Sequence, residues 1–250
     1  MEAIIVAGAE ASPALQEQGV RFIPALRVGG RTVMERIADA LHEGGGCSRV
    51  HVITREDVPL PERPWINRLP YSGRPISDLL EKLDTITSSE HVLLSAGDIP
   101  LLSAESIAAM LQAAATRDAD VVYPIVAREE MERMFPGSKR TYRRMETVTV
   151  TGGNVFRIRR AWLAGNREWL QKLFANRKNP LALANLLGLD FLLRVMTGSA
   201  SLAYAEARLS RAIRASVHAP LIPHPEIAAD LDKLEDLETF RPWLDPWDQA

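Results

Sequence analysis

The stretch at residues 91–107, HVLLSAGDIPLLSAESI, decides the fold of this chain. Its first half is an apolar run typical of a buried strand, and that run stops at a single acid, Asp98. Because an unpaired carboxylate at the end of a buried strand would be costly, we expect Asp98 to have a partner. Ser103 is a good helix N-cap, and Glu105 adds a negative charge to the first helical turn. A helix is therefore predicted from about Ala104 to Ala115.

Short apolar runs alternate with helix-like segments through the first half of the chain. The predicted strands are AIIVAG (3–8), RVHVIT (49–54), HVLLSAG (91–97) and ADVVYPIV (119–126), with a short strand near Trp65 to Leu69. The predicted helices cover residues 32–44, 76–86, 104–115 and 228–240. This alternation favours an α/β fold in three layers, with a mostly parallel central sheet flanked by helices.

The chain has 250 residues, with 30 lysines and arginines against 32 aspartates and glutamates. We expect one domain over residues 1–250, with a helical insertion at about 160–213. The near-zero charge balance gives no electrostatic case for nucleic acid as a partner. The single cysteine, Cys47, excludes an intramolecular disulfide, has no nearby Cys or His for a zinc site, and favours a cytoplasmic location.

The most apolar segment is NPLALANLLGLDFLLRVMTG, residues 179–198. Asn185, Asp190 and Arg194 interrupt it, whereas a membrane span needs roughly 20 nearly uninterrupted apolar residues. We therefore predict a buried or interface helix and no transmembrane span. A peripheral membrane contact by residues 180–197 and assembly into a homodimer are left open.

Acidic residues in two separate segments of the chain are candidates for metal binding. Asp98 lies at the carboxyl end of a predicted parallel strand, where open α/β sheets place their ligands, and a carboxylate there is a natural Mg²⁺ ligand. In AADLDK, Asp230 and Asp232 are two residues apart and share a face if the segment is extended, so one could meet Asp98 across a metal. The alternative is that Asp232 and Glu235 are solvated charges at the start of a C-terminal helix.

Two glycine-containing loops are candidates for nucleotide binding. In VAGAEASP, the backbone N–H groups of Ala7, Gly8 and Ala9 could approach phosphates. In TGGN (151–154), two glycines precede an amide side chain, in a pattern that suits a turn beside a ligand or a plain hairpin turn. The candidate residues there are Gly152, Gly153 and Asn154.

A basic cluster lies in the segment SKRTYRR and contains Lys139, Arg140, Arg143 and Arg144. If the segment is extended, Arg140 shares a face with Tyr142 while Lys139 and Arg143 share the other, so about half of the cations can reach one ligand. A solvated basic loop is the alternative interpretation.

Six segments in order carry a resemblance: IIVAGA, ALRVGGRTVMERIADAL, SAGDIPLL, YPIV, TGGNVFRI and IAADLDKLEDL. Together they resemble the MobA-like NTP transferase family, which is related to molybdenum cofactor guanylyl- and cytidylyltransferases. The resemblance implies a Rossmann-like GT-A nucleotidyltransferase fold whose first glycine loop wraps the nucleoside triphosphate. It also implies that Asp98 holds Mg²⁺ and that Asp232 completes the metal site.

The first loop departs from the family pattern. Of the early glycines only Gly8 remains, and Ile23 stands where a lysine is expected. That lysine normally neutralises phosphate charge as the transition state forms. Arg21, Arg27 or Arg31 could substitute for it, as could the basic cluster.

The predicted activity is Mg²⁺-dependent transfer of a nucleoside monophosphate from an NTP to a phosphorylated small-molecule acceptor, with release of pyrophosphate. The carboxyl groups of Asp98 and Asp232 should then lie within about 6 Å of each other. Lys139 and Arg140 would contact phosphate or acceptor as catalytic cations. The alternatives are a nucleotide-sugar-dependent glycosyltransferase and a nucleotide-binding protein that has lost catalysis.

Overall fold

In the computed structural model, which describes residues 1–28, 30–176 and 187–244, the central sheet has seven strands. They are β1 (Glu2–Val6), β4 (Arg49–Thr54), β5 (Ile66–Pro70), β6 (His91–Ala96), β7 (Val121–Val122), β11 (Val155–Arg159) and β12 (Val217–His218). Their order across the sheet is β12-β7-β11-β6-β1-β4-β5. The first strand of the chain therefore lies inside the sheet, between β6 and β4.

The sheet is mostly parallel. Strand β1 pairs in parallel with β4 and with β6, so that Glu2 lies opposite both Arg49 and Val92. Strand β5 extends the parallel set beyond β4, and β12 pairs in parallel with β7. Only β11 runs the other way among the described strands of this sheet, antiparallel to β6 and β7. The predicted α/β fold class is confirmed.

The helices of the described residues are numbered in chain order. They are α1 (Pro13–Glu17), α2 (Val33–Glu43), α3 (Pro75–Ile86), α4 (Ala104–Ala115), α5 (Arg128–Met134), α6 (Arg160–Gly165), α7 (Arg167–Asn176), α8 (Leu189–Thr197), α9 (Leu202–Ile213) and α10 (Leu234–Phe240). Short 3₁₀ helices cover Ile23–Ala25 and Pro225–Ala228. Ser103 caps α4 by accepting a hydrogen bond from the Ser106 N–H, as its position predicted.

Helices cover both faces of the sheet because its inner strands are apolar on both faces. Along β1, Ile5 packs in a core with the buried side chains of α2 and α4, while Ile4 packs with those of α3 and α6. Successive strand residues point to opposite faces, so this alternation produces three layers. Because helices cover both faces of the sheet, the ends of its strands are the parts that the helices leave uncovered.

A second, antiparallel sheet lies beside the first and has the order β8-β10-β9. Its strands are β8 (Ile125–Ala127), β10 (Thr149–Gly152) and β9 (Arg143–Arg144), and a separate hairpin joins β2 (Arg27–Val28) to β3 (Arg31–Thr32). The single strand predicted over 119–126 is wrong, because the chain leaves the central sheet at Tyr123 and enters the second sheet at Ile125. Pro124 lies at the break and has no N–H to donate to a ladder.

The helices α6 to α9 lie between β11 and β12, where the helical insertion is predicted. In the apolar segment, residues 179–186 lie outside the described residues. Helix α8 buries Phe191 and exposes Leu189, Leu193 and Met196. Within the described ranges, no helix is long and apolar enough to cross a membrane. The peripheral membrane contact and the homodimer stay predictions.

Ile23 is a core residue. Its side chain is 8% exposed and packs in the cluster shared by β1, α2 and α4. The loop before it is tied to the core as well, because the Ala11 N–H donates to the Arg21 carbonyl. An ammonium group at position 23 would therefore lie against apolar side chains.

We expect Ile23→Lys to lower the free energy of unfolding by about 2–4 kcal/mol, because it puts a charge where an apolar side chain is buried. Ile23→Leu is the matched control and should cost less than about 1.5 kcal/mol. Chemical denaturation of the three proteins measures both effects. A fully stable Ile23→Lys variant that binds NTPs more tightly would show that this position faces the phosphates.

Candidate functional site

Asp98 lies at the carboxyl edge of the central sheet, two residues after the end of β6. A Cβ added at Gly97 would overlap Ala7, so the chain ends of β6 and β1 are in close contact just before the acid. The Oδ1 atom of Asp98 is buried and has no hydrogen-bond partner among the described residues. Burial of such an oxygen costs free energy unless a ligand or an ion binds to it.

The segment Asp230–Lys233 runs beside Asp98. The Leu231 N–H donates a hydrogen bond of 2.8 Å to the Asp98 carbonyl, which holds the two chain segments together. Helix α10 begins only at Leu234, so Asp230 and Asp232 belong to the irregular backbone that precedes it. The structure therefore brings together the acids that the sequence predicted to share a site.

The carboxyl groups of this cluster repel one another. Burial first, and then the nearby charges of Asp230 and Asp232, raise the pKa of Asp98 to about 7, while Arg140 acts in the opposite direction. Burial and the charge of Asp230 also raise the pKa of Asp232. Desolvation and like charge both disfavour the ionised carboxylates, and a bound cation would offset both.

A magnesium ion fits the chemistry of this cluster. Among the described residues no group of three or more His, Cys, Asp and Glu side chains is placed to hold a metal ion. If Asp98 and Asp232 hold Mg²⁺, they would therefore do so as two carboxylate ligands. Mg²⁺ in nucleotide sites is commonly held by one or two carboxylates together with phosphate oxygens and water. The predicted separation of the two carboxyl groups, and the metal roles of both residues, stay predictions.

The two predicted catalytic cations lie in different surroundings. Arg140 is buried, and its guanidinium hydrogen-bonds to Asp230 and Asp236. Lys139 is exposed and pairs with Glu235 at 2.8 Å. The direct contact of Arg140 with phosphate stays a prediction, but its NH1 and NH2 groups already have acidic partners.

Of the three arginines considered for the missing lysine, Arg21 and Arg31 are paired with acids, whereas Arg27 donates to the Gly30 carbonyl. Arg21 lies within 3.2 Å of both Glu10 and Asp57, and Arg31 pairs with Asp39. Their side chains are about half exposed, so these pairs contribute little to stability and do not prevent the arginines from meeting another anion.

The first loop offers backbone donors at the carboxyl end of β1. Ala7 continues the strand, since its N–H donates to the Ile53 carbonyl and its own carbonyl accepts from the Thr54 hydroxyl. The Ala7 N–H is therefore already engaged in the sheet, and the nucleotide-binding role of Ala7 stays a prediction. The N–H groups of Gly8 and Ala9, by contrast, have no hydrogen-bond acceptor in the described part of the chain.

The TGGN segment is where the chain crosses from the second sheet to the central sheet, so the hairpin alternative is wrong. A Cβ at Gly152 would overlap the hydroxyl of Tyr123, and the Gly153 N–H donates to the Pro124 carbonyl. Asn154 follows, and its side-chain amide donates to Asp230 Oδ1 at 3.4 Å. Gly152 and Gly153 therefore permit close packing that places Asn154 beside the acidic cluster, while their nucleotide contacts stay predictions.

Sequence reasoning missed two residues of this region. Asp236 accepts hydrogen bonds from the N–H groups of Asp232 and Lys233 and thereby fixes the segment before α10. In the structure Asp236 is the third residue of α10, where an acid can accept hydrogen bonds from the backbone before the helix. The helix predicted over 228–240 begins too early and put Asp236 in its middle, so this signal was hidden. Tyr71 covers Gly8, whose Cβ would overlap the ring, and no local sequence signal marks that contact.

A family model described as the MobA-like NTP transferase domain matches residues 3–245. The chain belongs to this family. It is therefore a nucleotidyltransferase-type enzyme, and the resemblance drawn from the sequence is confirmed. No sequence match is found among curated proteins.

Solved structures support the same fold. A hypothetical transferase from Thermus thermophilus superposes with a TM-score of 0.83 at 33% identity, covering 95% of this chain and 100% of that one. The 2-C-methyl-D-erythritol 4-phosphate cytidylyltransferase from Thermus thermophilus gives a TM-score of 0.56 at 17% identity, with 97% and 98% covered. A CMP:2-keto-3-deoxy-manno-octonic acid synthetase complexed with CTP gives 0.62 at 14% identity, with 97% and 98% covered. The last two likenesses show the fold alone.

The raised pKa of Asp98 predicts a pH dependence of stability in metal-free protein. An unfolded aspartate has a pKa of about 3.9, whereas burial and nearby carboxylates raise the pKa of folded Asp98 to about 7. Between these values the folded protein holds a proton that the unfolded chain has lost. The stabilisation from this group is therefore complete below about pH 3.9 and is lost as the pH rises through about 7.

In EDTA, the wild type should lose about 2–3 kcal/mol of unfolding free energy relative to Asp98→Asn between about pH 5 and about pH 8. Denaturant titrations of both proteins at the two pH values measure the difference. The same pH dependence in both would show that Asp98 titrates near its ordinary value.

Proposed function

We propose that this chain is a Mg²⁺-dependent nucleotidyltransferase that transfers a nucleoside monophosphate from an NTP to a phosphorylated small-molecule acceptor. The observation that carries the proposal is the buried, unpartnered Oδ1 of Asp98 beside Asp232 at the carboxyl edge of a parallel sheet. Ligands of open α/β sheets bind at this edge. Family membership supplies the NTP as substrate class.

The donors of the first loop support triphosphate binding. Gly8 and Ala9 follow β1, and Asp98 follows β6, the strand hydrogen-bonded to β1. Backbone N–H groups without an internal acceptor suit phosphate oxygens, which accept strong charge-assisted hydrogen bonds. A triphosphate bound by this loop would therefore extend toward the acids.

The reaction needs placement and charge compensation more than covalent help from the protein. An oxygen of the acceptor phosphate attacks the α-phosphorus of the NTP, the bond from that phosphorus to the bridging oxygen breaks, and pyrophosphate leaves with the bond electrons. Asp98 and Asp232 would hold Mg²⁺, which when bound supplies positive charge to the phosphates. Gly8, Ala9 and the strand ends would fix the α-phosphate for in-line attack.

Asp98→Asn should lower Mg²⁺-dependent pyrophosphate release at least about 100-fold, because the amide keeps the shape and removes the anionic ligand. Asp118→Asn is the matched control, since Asp118 is an exposed acid that pairs with Arg159 at the far end of β11. The assay uses each of the four NTPs with a panel of sugar phosphates and other small phosphate monoesters. Full activity in Asp98→Asn would contradict the metal assignment.

A thermal-shift panel separates this activity from the two alternatives. A ligand at 100 times its dissociation constant adds about 2.7 kcal/mol of stability. We expect one or more NTPs with Mg²⁺ to stabilise the protein more than nucleotide sugars do. Preference for a nucleotide sugar would favour a glycosyltransferase, and NTP binding without turnover would favour a binding protein.

Lys139 is exposed and pairs with Glu235, three residues after Asp232 in the chain, so it is a candidate for contact with phosphate or acceptor. If Lys139 stabilises negative charge that develops in the transition state, Lys139→Ala should lower kcat by about tenfold or more. The NTP dissociation constant should change by less than about threefold. Lys172→Ala, which removes a lysine from the exposed helix α7, is the control. Equal kcat values in Lys139→Ala and wild type would show that Lys139 has no catalytic role and is only a solvated partner of Glu235.

A further inference from the structure

Arg140 is an unusual cation for a loop of the second sheet because its side chain is only 5% exposed. Its Nη1 donates to Asp230 Oδ1 at 2.5 Å, and its Nη2 donates to the Asp230 carbonyl at 2.6 Å. The same Nη2 donates to Asp236 Oδ1 at 3.1 Å. One guanidinium therefore binds both ends of the segment from Asp230 to Asp236.

Asp236 extends this contact to the backbone of the candidate metal ligand. Its Oδ1 accepts from Arg140, while its Oδ2 accepts from the N–H groups of Asp232 at 3.1 Å and Lys233 at 2.9 Å. The Arg140 guanidinium and the Asp232 backbone are thus held by the two oxygens of one carboxylate. A buried arginine with a planar set of donors suits such a two-sided contact.

The other side of the segment is anchored to the central sheet. Between Asp230 and Asp232, the Leu231 N–H donates to the Asp98 carbonyl, and Asn154 donates to Asp230. The guanidinium of Arg140 also lies 5.1 Å from the ring centre of Phe240 in α10. Arg140 therefore connects the loop before β9 with the acidic segment and with helix α10.

We infer that Arg140 is a positioning residue, whose guanidinium fixes the Asp230–Asp236 segment so that Asp232 faces Asp98. The inference rests on the proposed function, because it assigns a purpose to the geometry of the two candidate metal ligands. It replaces the expected phosphate contact of Arg140 with an indirect role, exerted through Asp236 and the backbone. Asp230 is in this scheme a partner of Arg140 and not a third ligand.

A change of Arg140 affects the affinity for a metal ion in two opposite ways, one through charge and one through geometry. Loss of a positive charge beside carboxylates would by itself strengthen cation binding. Loss of the fixed segment would weaken it. Arg140→Lys separates the two effects, since it keeps the charge but cannot reproduce the planar contact with Asp230 and Asp236.

The test measures Mn²⁺ binding by electron paramagnetic resonance in wild type, Arg140→Lys and Arg159→Lys, below the melting temperature of each. Arg159 is the matched control. It pairs with Glu90, Asp118 and Asp120 at the edge of the central sheet opposite to Asp98. Arg140→Lys should raise the Mn²⁺ dissociation constant about tenfold or more. Arg159→Lys should leave it within about twofold, even if it destabilises the fold similarly.

Hydrogen exchange of the amides of Leu231, Asp232 and Lys233 gives a readout that does not depend on metal. Exchange should become about tenfold or more faster in Arg140→Lys and stay unchanged in Arg159→Lys. Unchanged exchange together with unchanged Mn²⁺ affinity would overturn the inference. If exchange becomes faster in Arg140→Lys but the wild type binds no Mn²⁺, Arg140 fixes the segment and the proposed metal-dependent function is wrong. Arg140 would then have no role in positioning a metal ligand.

Discussion

Burial of one carboxylate oxygen, Oδ1 of the partly buried Asp98, is the constraint on which the candidate site depends. A parallel strand with apolar neighbours on both faces delivers the acid to the carboxyl edge, where one of its oxygens has no partner in the described structure. Water cannot solvate that oxygen, and two further carboxylates lie close enough to raise its pKa. A bound divalent cation would offset all three penalties, and the proposed Mg²⁺ site rests on this argument.

The second sheet brings the remaining parts of the cluster to Asp98. The chain crosses between the sheets at Tyr123–Ile125 and again at Gly152–Val155, and the two crossings contact each other through the Gly153 N–H and the Pro124 carbonyl. Glycine is required beside Tyr123 because a larger side chain would overlap its hydroxyl. This close packing places Asn154 next to Asp230, so the same backbone that joins the sheets also shapes the site.

The sequence contains enough periodicity to predict the parallel strands, the helices after them and the position of Asp98 at a strand end. It also pairs Asp98 with the segment around Asp232, because both occur in motifs of one family. It does not reveal the split strand at Pro124, the engagement of the Ala7 N–H by Ile53 or the partners of Arg140. These features depend on contacts between residues distant in sequence, such as Arg140 and Asp236, and local patterns report only near neighbours. Ile23 differs, since its apolar sequence neighbours Phe22 and Leu26 agree with the core position that the structure gives it.

The central claim is that Asp98 and Asp232 hold one divalent cation at the phosphates of an NTP. Crystals of the protein grown with Mn²⁺ and the most stabilising NTP test it most directly, through the anomalous signal of manganese. We expect a single strong peak about 2 Å from a carboxylate oxygen of each residue and from a phosphate oxygen. A bound NTP with no manganese between Asp98 and Asp232, or with the metal held elsewhere, would contradict it.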